Sequence, residues 1–430
     1  MAVAIDLALS AAAEQFAARR PKTRAFHERA AKVMPGGNTR TILFHAPFPV
    51  RIERAEGADL FDLDGHRYTD LLGEYSAGLY GHSHPVIRRA VMQAMDGGLN
   101  IGAHHTHELA FAETVTRRFN LDLVRFTNSG TEANLMALCA ARCFTGRAKI
   151  MAFEGGYHGG LLYYSHGGSP INAPFDVVLA HYNDLEATRA LIAANATDLA
   201  AVIIEPMLGG GGCIPASREF LAMLRAETAK HGIVFILDEV MTSRLAPGGL
   251  AEVHGIEPDL KSLGKYIGGG MSFGAFGGRE AIMAQFDPTR PGALPHAGTF
   301  NNNTLTMTAG QAAMTEIFTP EACLALNARG DRLRTALNGL FMRYQAPMRA
   351  TGLGSMITIH PLGLEITRPE QLDRADQRLR RLLYLDLLEE GYYIAERGFM
   401  ALSLLVSDAD CAGFVQAVER FVEHRRAVLN

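Results

Sequence analysis

Ser262-Leu263-Gly264-Lys265-Tyr266-Ile267-Gly268-Gly269-Gly270 sets one lysine between a short apolar run and a glycine turn. Most lysines are solvated surface charges. Here Leu260 and Leu263 precede the amine, Ile267 follows it, and residues 271–278 are apolar and glycine-rich. Apolar neighbours disfavour the ammonium, so the free amine, the form that attacks a carbonyl, is easier to reach. Lys265 is therefore a candidate Schiff-base lysine.

Outward from it, the same kind of apolar run recurs. Runs at 123–127, 150–153, 177–180, 201–204, 233–237, 260–263 and 273–276 alternate with helical patterns at 131–144, 185–194 and 219–230. Strands hydrophobic on both faces and separated by helices predict an α/β fold with a mostly parallel central sheet. Beyond Gly310 the pattern turns α+β, with helices at 305–318, 324–344, 371–390 and 408–428 and strands at 355–360 and 400–405. Antiparallel strands at 50–53 and 60–63 precede the large domain. The expected division is an N-terminal segment 1–65 packing with a C-terminal small domain 311–430, and a large domain 66–310.

Composition narrows the function classes. At 430 residues the chain can bury a large core, and a formal charge of -4 without a basic run argues against a nucleic-acid partner. Five cysteines without metal-ligand spacing fit a reducing compartment and no bound metal. The alanine-rich segment 2–18 carries Asp6 and Glu14 early and Arg19 and Arg20 late, as a helix does and a signal peptide does not. No apolar run reaches membrane-spanning length. A cytoplasmic protein is expected.

Three further stretches carry chemistry. Asn128-Ser129-Gly130-Thr131-Glu132-Ala133 joins a strand to a helix, and small residues at a helix N-terminus suit either a phosphate or a plain cap. Neither a dinucleotide fingerprint nor a P-loop is present. Gly155-Gly156-Tyr157-His158-Gly159-Gly160 follows a strand, and its glycines should expose Tyr157 and His158 to a flat ligand ring. Ile236-Leu237-Asp238-Glu239-Val240 ends a buried strand, which puts Asp238 at the carboxyl edge of the sheet. A carboxylate there would keep a pyridine nitrogen protonated. Phosphate grip, stacking tyrosine, pyridinium carboxylate and lysine together describe a site for pyridoxal 5′-phosphate.

On these motifs nearly the whole chain resembles the fold-type I, class III aminotransferases. The resemblance implies that Lys265 binds the cofactor covalently and shuttles the proton. It also implies that Asp238 pairs with the pyridine nitrogen, Val240 packs on the ring opposite Tyr157, and Ser129, Gly130 and Thr131 hold the phosphate. Thr299, in Gly298-Thr299-Phe300-Asn301-Asn302-Asn303, matches a threonine that completes the phosphate cup of the neighbouring subunit, which implies a homodimer with shared active sites. Glu205, before Pro206-Met207, matches an acid near the cofactor.

Within the class, Met34-Pro35-Gly36-Gly37 and the glycine-rich run after Lys265 are similar to glutamate-1-semialdehyde aminomutase. That group's tryptophan-bearing loop is replaced by Glu74-Tyr75-Ser76-Ala77-Gly78, and the chain has no tryptophan. Pro35-Gly36-Gly37-Asn38-Thr39-Arg40, the Glu74–Ser83 loop and Arg397-Gly398-Phe399 are closer to the aromatic β-amino acid aminotransferases. That resemblance implies ping-pong transfer from an amino donor to a 2-oxo acid acceptor such as 2-oxoglutarate or pyruvate. Arg40 would bind the β-amino acid carboxylate and Arg397 a carboxylate from the other pocket, or a structural salt bridge. Glu74 and Tyr75 would shape the substrate pocket. Transfer within one molecule, or from an ω-amino acid or amine, are the alternative activities.

Overall fold

A computed structural model describes residues 2–429. Two compact units make up the chain: one runs up to His84 and includes Ala328–Glu365 and the residues from Leu372 onward, and the other comprises Pro85–Asn327 with Ile366–Gln371.

The first unit begins with the helices Ala2–Arg19 and Pro21–Ala30. Pro21 fits the first turn of the second helix because that position needs no backbone donor. Buried Arg20, between the helices, donates to Glu389 Oε1 at 2.6 Å and to Tyr68 Oη at 3.1 Å. Strands β1 (Ile52–Glu56), β2 (Asp59–Asp62) and β3 (Arg67–Asp70) form an antiparallel meander.

The second unit is built on seven strands: β4 (Leu123–Thr127), β5 (Lys149–Phe153), β6 (Val177–Ala180), β7 (Leu199–Ile204), β10 (Val234–Asp238), β11 (Leu260–Gly264) and β12 (Gly274–Gly278). A short ribbon of β8 (Met207–Leu208) and β9 (Ile214–Pro215) lies outside that sheet. The sheet order is β4-β12-β11-β10-β7-β5-β6, parallel except for β12. Every residue of β7, β10 and β11 is buried, as a strand covered on both faces requires. β12 runs antiparallel because the connection from β11 is a single 3-10 turn, Lys265–Gly268, and a few residues, too short for a crossover. Its glycines are sterically required: a Cβ at Gly274 would overlap the Ser129 carbonyl oxygen, and one at Gly277 the Leu123 carbonyl oxygen.

The helix Gly130–Thr145 lies on this sheet through alanines. Ala133, Ala137 and Ala141 are fully buried against a core that includes Ile150, Ile203, Ile236 and Phe276. Small side chains bring the helix close to the strands, which fixes where its N-terminus opens. Ala137→Leu should overpack that seam and cost about 1–3 kcal/mol. Thermal denaturation should show the midpoint falling; an unchanged midpoint would mean the seam has room.

The chain then returns to the first unit with β13 (Arg349–Leu353), β14 (Met356–His360), β15 (Tyr392–Tyr393) and β16 (Phe399–Ala401). β13, β14 and β16 form one sheet, and β15 joins β3 in parallel. The unit boundaries therefore fall at His84 and Asn327, not at 65 and 310. Residues 66–84 stay with the first unit because Leu71 and Leu72 donate to the Tyr393 carbonyl at 2.9 and 3.1 Å. Residues up to Asn327 stay with the second because Asn327 donates to the Arg244 carbonyl at 2.9 Å. The expected helix 371–390 starts regular α-geometry only at Gln377, after a 3-10 segment Pro369–Arg374, with Asp376 capping its N-terminus. The expected helix 305–318 is α-helical only over Thr304–Ala312 and continues as a π-turn over Ala313–Ile317.

Candidate active site

β4 runs in the same direction as β11, since β12 is antiparallel to both. Five strands thus end at one edge of the sheet, and each delivers a predicted residue there. β4 leads to Ser129, Gly130 and Thr131; β5 leads to Tyr157 and His158; β7 leads to Glu205. Asp238 is the last residue of β10, and Lys265 follows β11. Asp238 pairs in register with Ser262, three residues before the lysine. The three strand ends meet closely: a Cβ at Gly264 would stand 3.1 Å from Val240 Cγ1 and 3.7 Å from Gly130 Cα.

Asp238 is 3% exposed. Its Oδ2 accepts from His158 Nδ1 at 2.7 Å and Asn134 Nδ2 at 2.8 Å, and its Oδ1 from the Val240 amide at 3.0 Å. Three donors satisfy a buried carboxylate that would otherwise be costly to bury. His158 is 2% exposed, contrary to the expectation that its glycines display it. The glycines instead let the loop fold inward, and the ring becomes a support for Asp238. Tyr157 is 43% exposed, as the motif predicted. Asn134 was missed in the sequence: it lies one helical turn after Gly130 and looks like an ordinary helix residue.

At the other end of the site, Ser129 caps the helix Gly130–Thr145 by accepting from the Glu132 amide at 3.2 Å. Thr131 Oγ1 accepts from the Gly160 amide at 3.3 Å. A Cβ at Gly159 would overlap that same Oγ1, so the glycine loop closes on the helix start. Asn128 donates to Asn301 Oδ1 at 3.0 Å, which ties in the segment carrying Thr299. Thr299 itself is exposed beside a cavity of about 480 Å³ shared with Asn100–His105.

Glu205 is 3% exposed, and its carboxylate accepts from the Tyr157 and Gly209 amides at 2.9 and 3.0 Å. Burial, aided by the charge of Asp238, pushes its pKa up to about 7 against the pull of His158 and the two amides. Lys265 is half-buried between buried neighbours and has φ +55°, a left-handed conformation. For a side chain bearing a Cβ that conformation costs on the order of 1–3 kcal/mol and concentrates at functional sites.

The remaining predicted residues belong to the first unit. Arg40 pairs with Glu74, and its guanidinium lies 5.8 Å from the Tyr75 ring centroid. Arg397 lies 5.2 Å from the same centroid and 5.2 Å from that of Phe399. Among the described residues no carboxylate pairs with Arg397, so the salt-bridge alternative for it is not realised. Tyr75 stacks on Phe399 at 5.8 Å, and burial pushes its hydroxyl pKa up. Glu74, Tyr75 and Ser76 all have positive φ. A cavity of about 480 Å³ opens beside Arg40, Glu74, Asp70 and His82.

The family model for Aminotransferase class-III matches residues 44–422. The chain belongs to the class III aminotransferases. It is 50% identical over 427 residues to a protein of Variovorax paradoxus named beta-phenylalanine transaminase, covering 99% of this chain and 98% of that one. A crystal structure of a beta-phenylalanine aminotransferase from that organism superposes with a TM-score of 0.98, with 99% of each chain covered. An omega-transaminase from Sphaerobacter thermophilus is 36% identical with a TM-score of 0.90, over 95% of this chain and 99% of that one. A glutamate-1-semialdehyde-aminomutase from Pseudomonas aeruginosa shares the fold at 24% identity and a TM-score of 0.91, over 98% of this chain and 99% of that one.

This aminotransferase is a fold-type I enzyme that works with pyridoxal 5′-phosphate. Its residues fit that cofactor. A helix N-terminus with no side chain on Gly130 suits the phosphate. A buried carboxylate, steadied by three donors, suits a protonated pyridine nitrogen. His158 Nε2 is buried with no hydrogen-bond partner, so a polar group of a ligand could be met there. No group of metal-ligating side chains forms among the described residues. No helix of those residues is long and apolar enough to cross a membrane.

Proposed function

We propose that this class III aminotransferase moves the amino group of a β-amino acid, aromatic ones preferred, to a 2-oxo acid such as 2-oxoglutarate or pyruvate. The pair of guanidiniums over one aromatic ring, Arg40 and Arg397 on Tyr75, carries the reading of carboxylated substrates. The likeness to the Variovorax paradoxus transaminase supports the β-amino acid class.

When bound, the cofactor supplies an aldehyde that takes up the amino group and a ring that takes up electrons. Lys265 Nζ holds the cofactor and then moves the proton from the substrate carbon bearing nitrogen. Asp238 keeps the pyridine nitrogen protonated, with His158 and Asn134 fixing its orientation. Tyr157 and Val240 bound the two ring faces, and Ser129, Gly130 and Thr131 receive the phosphate. Arg40 binds the donor carboxylate in bidentate fashion once it exchanges Glu74 for the substrate. Arg397 serves the carboxylate in the other pocket, and Glu74 and Tyr75 shape the cavity between donor types. The two half-reactions use the same groups in opposite order, which is a ping-pong scheme.

Thr299 is assigned to the phosphate of a neighbouring subunit, in a homodimer with shared sites. Its exposure beside an open cavity is consistent with that role. Five free thiols suit a reducing compartment, and we assign the enzyme to the cytoplasm.

Arg40→Ala should lower kcat/KM for β-amino acids roughly 10- to 100-fold, the range for hydrogen bonds to a charged group, and leave amines without a carboxylate nearly untouched. A donor panel of α-, β- and ω-amino compounds, read by cofactor absorbance with the donor alone, measures this. Equal loss for carboxylated and uncarboxylated donors would remove Arg40 from the carboxylate site.

A further inference from the structure

Glu205 stands where β7 ends, and its two carboxylate oxygens serve two different loops. Oε2 accepts from the amide of Tyr157, in the loop after β5, and Oε1 from the amide of Gly209, in the turn of the β8–β9 ribbon. Those loops press on each other directly. A Cβ at Gly210 would stand 3.2 Å from Tyr157 Cβ, and one at Gly211 would stand 2.7 Å from the Gly155 carbonyl oxygen. The strand end itself is held by Tyr182, whose hydroxyl donates to the Glu205 carbonyl at 2.9 Å. The Tyr157 ring is partly exposed and meets the Tyr163 ring edge-on at 5.7 Å, and the backbone anchor sets where its loop carries it.

We propose that Glu205 is a positioning residue: its ionised carboxylate clamps the Tyr157 loop to the Gly209 turn and thereby places the Tyr157 ring on the cofactor. This rests on the assignment of Tyr157 to a cofactor face. An ionised carboxylate accepts strongly at both oxygens, whereas a protonated one turns one oxygen into a hydroxyl, a weaker acceptor, and loosens its hold on one of the two amides.

The clamp therefore titrates. The groups facing Glu205 are His158 on the Tyr157 loop, Asp238 on β10, the Tyr182 hydroxyl and the two amides. Burial is the largest influence, and the carboxyl is pushed up to about 7. The clamp then closes as pH rises through about 7. The contribution to global stability runs the opposite way. A carboxyl raised above its ordinary value stabilises the fold fully below that value, and the contribution is lost as pH rises through about 7. A neutral isostere separates the two effects.

The test compares the wild type with Glu205→Gln and Glu205→Asp between pH 6 and 8.5. Two quantities are followed: hydrogen exchange of the peptide spanning residues 154–164 in cofactor-free protein, and the dissociation rate of pyridoxal 5′-phosphate from the holoenzyme. In the wild type the exchange rate relative to the base-catalysed intrinsic rate at each pH, and the cofactor release rate, should both fall as pH rises, by roughly fivefold, the value of one released amide bond, with a midpoint near 7. Glu205→Gln should hold the low-pH rates throughout, while its melting temperature at pH 8 equals or exceeds that of the wild type. Glu205→Asp should keep a pH dependence at faster rates, and it decides the matter if Glu205→Gln fails to fold. Wild-type pH dependence retained in Glu205→Gln, or its absence from Glu205→Asp, overturns the proposal. Slowed exchange without any effect on cofactor release would instead refute the placement of Tyr157 on the cofactor.

Discussion

Lys265→Ala is expected to lose amino transfer by about 10⁴-fold or more, since in the proposed scheme one side chain supplies both the covalent hold and the proton transfer. No other lysine stands at this edge of the sheet to replace it: Lys261, the nearest in sequence, is buried and donates to the Phe119 carbonyl at 2.7 Å. The variant should fold, because alanine removes a half-buried side chain and leaves β11 and its turn in place. The measurement is the half-reaction with an amino donor alone, followed by cofactor absorbance. A variant that still aminates the cofactor at a tenth of the wild-type rate would sink the assignment of Lys265.

The second large effect belongs to Asp238. Asp238→Asn keeps the shape but removes the charge that we propose holds a proton on the pyridine nitrogen. Activity should fall roughly 10²- to 10³-fold, the range for removing one preorganised electrostatic partner. Asp238→Ala should do more, because it leaves His158 Nδ1 and Asn134 Nδ2 buried without an acceptor. Each orphaned donor costs about 1–3 kcal/mol of stability. Thermal melts should therefore rank wild type above the asparagine variant and the alanine variant last. Equal melting of all three would show that the network around Asp238 does not hold the buried ring of His158.

The strand ends were legible in the sequence because fully buried strands announce themselves as continuous apolar runs, and residues just past them fall at one edge by topology alone. Lys265, Asp238 and Gly130 were placed at that edge in that way. Asn134 was not, since a polar residue inside a helix carries no mark of the carboxylate it serves. His158 was misread for a related reason: glycines permit a side chain to turn either way, and only the buried charge of Asp238 decides which. The antiparallel course of β12 follows from connection length, and its glycines become intelligible only once the carbonyl oxygens of Ser129 and Leu123 are seen against them. The boundary at His84 depends on hydrogen bonds to Tyr393, more than three hundred residues away in the chain, which no local pattern carries.

All the residues at the cofactor edge come from one uninterrupted stretch, Pro85–Asn327, whereas Arg40, Glu74, Tyr75 and Arg397 come from the flanking portions of the chain. On the roles proposed for these residues, the reaction and the choice of substrate are written in separable parts of the gene. Recombination with crossovers near codons 84 and 328 would exchange the recognition residues and pass on the catalytic ones intact, a route by which one chemistry could diversify across many amino donors.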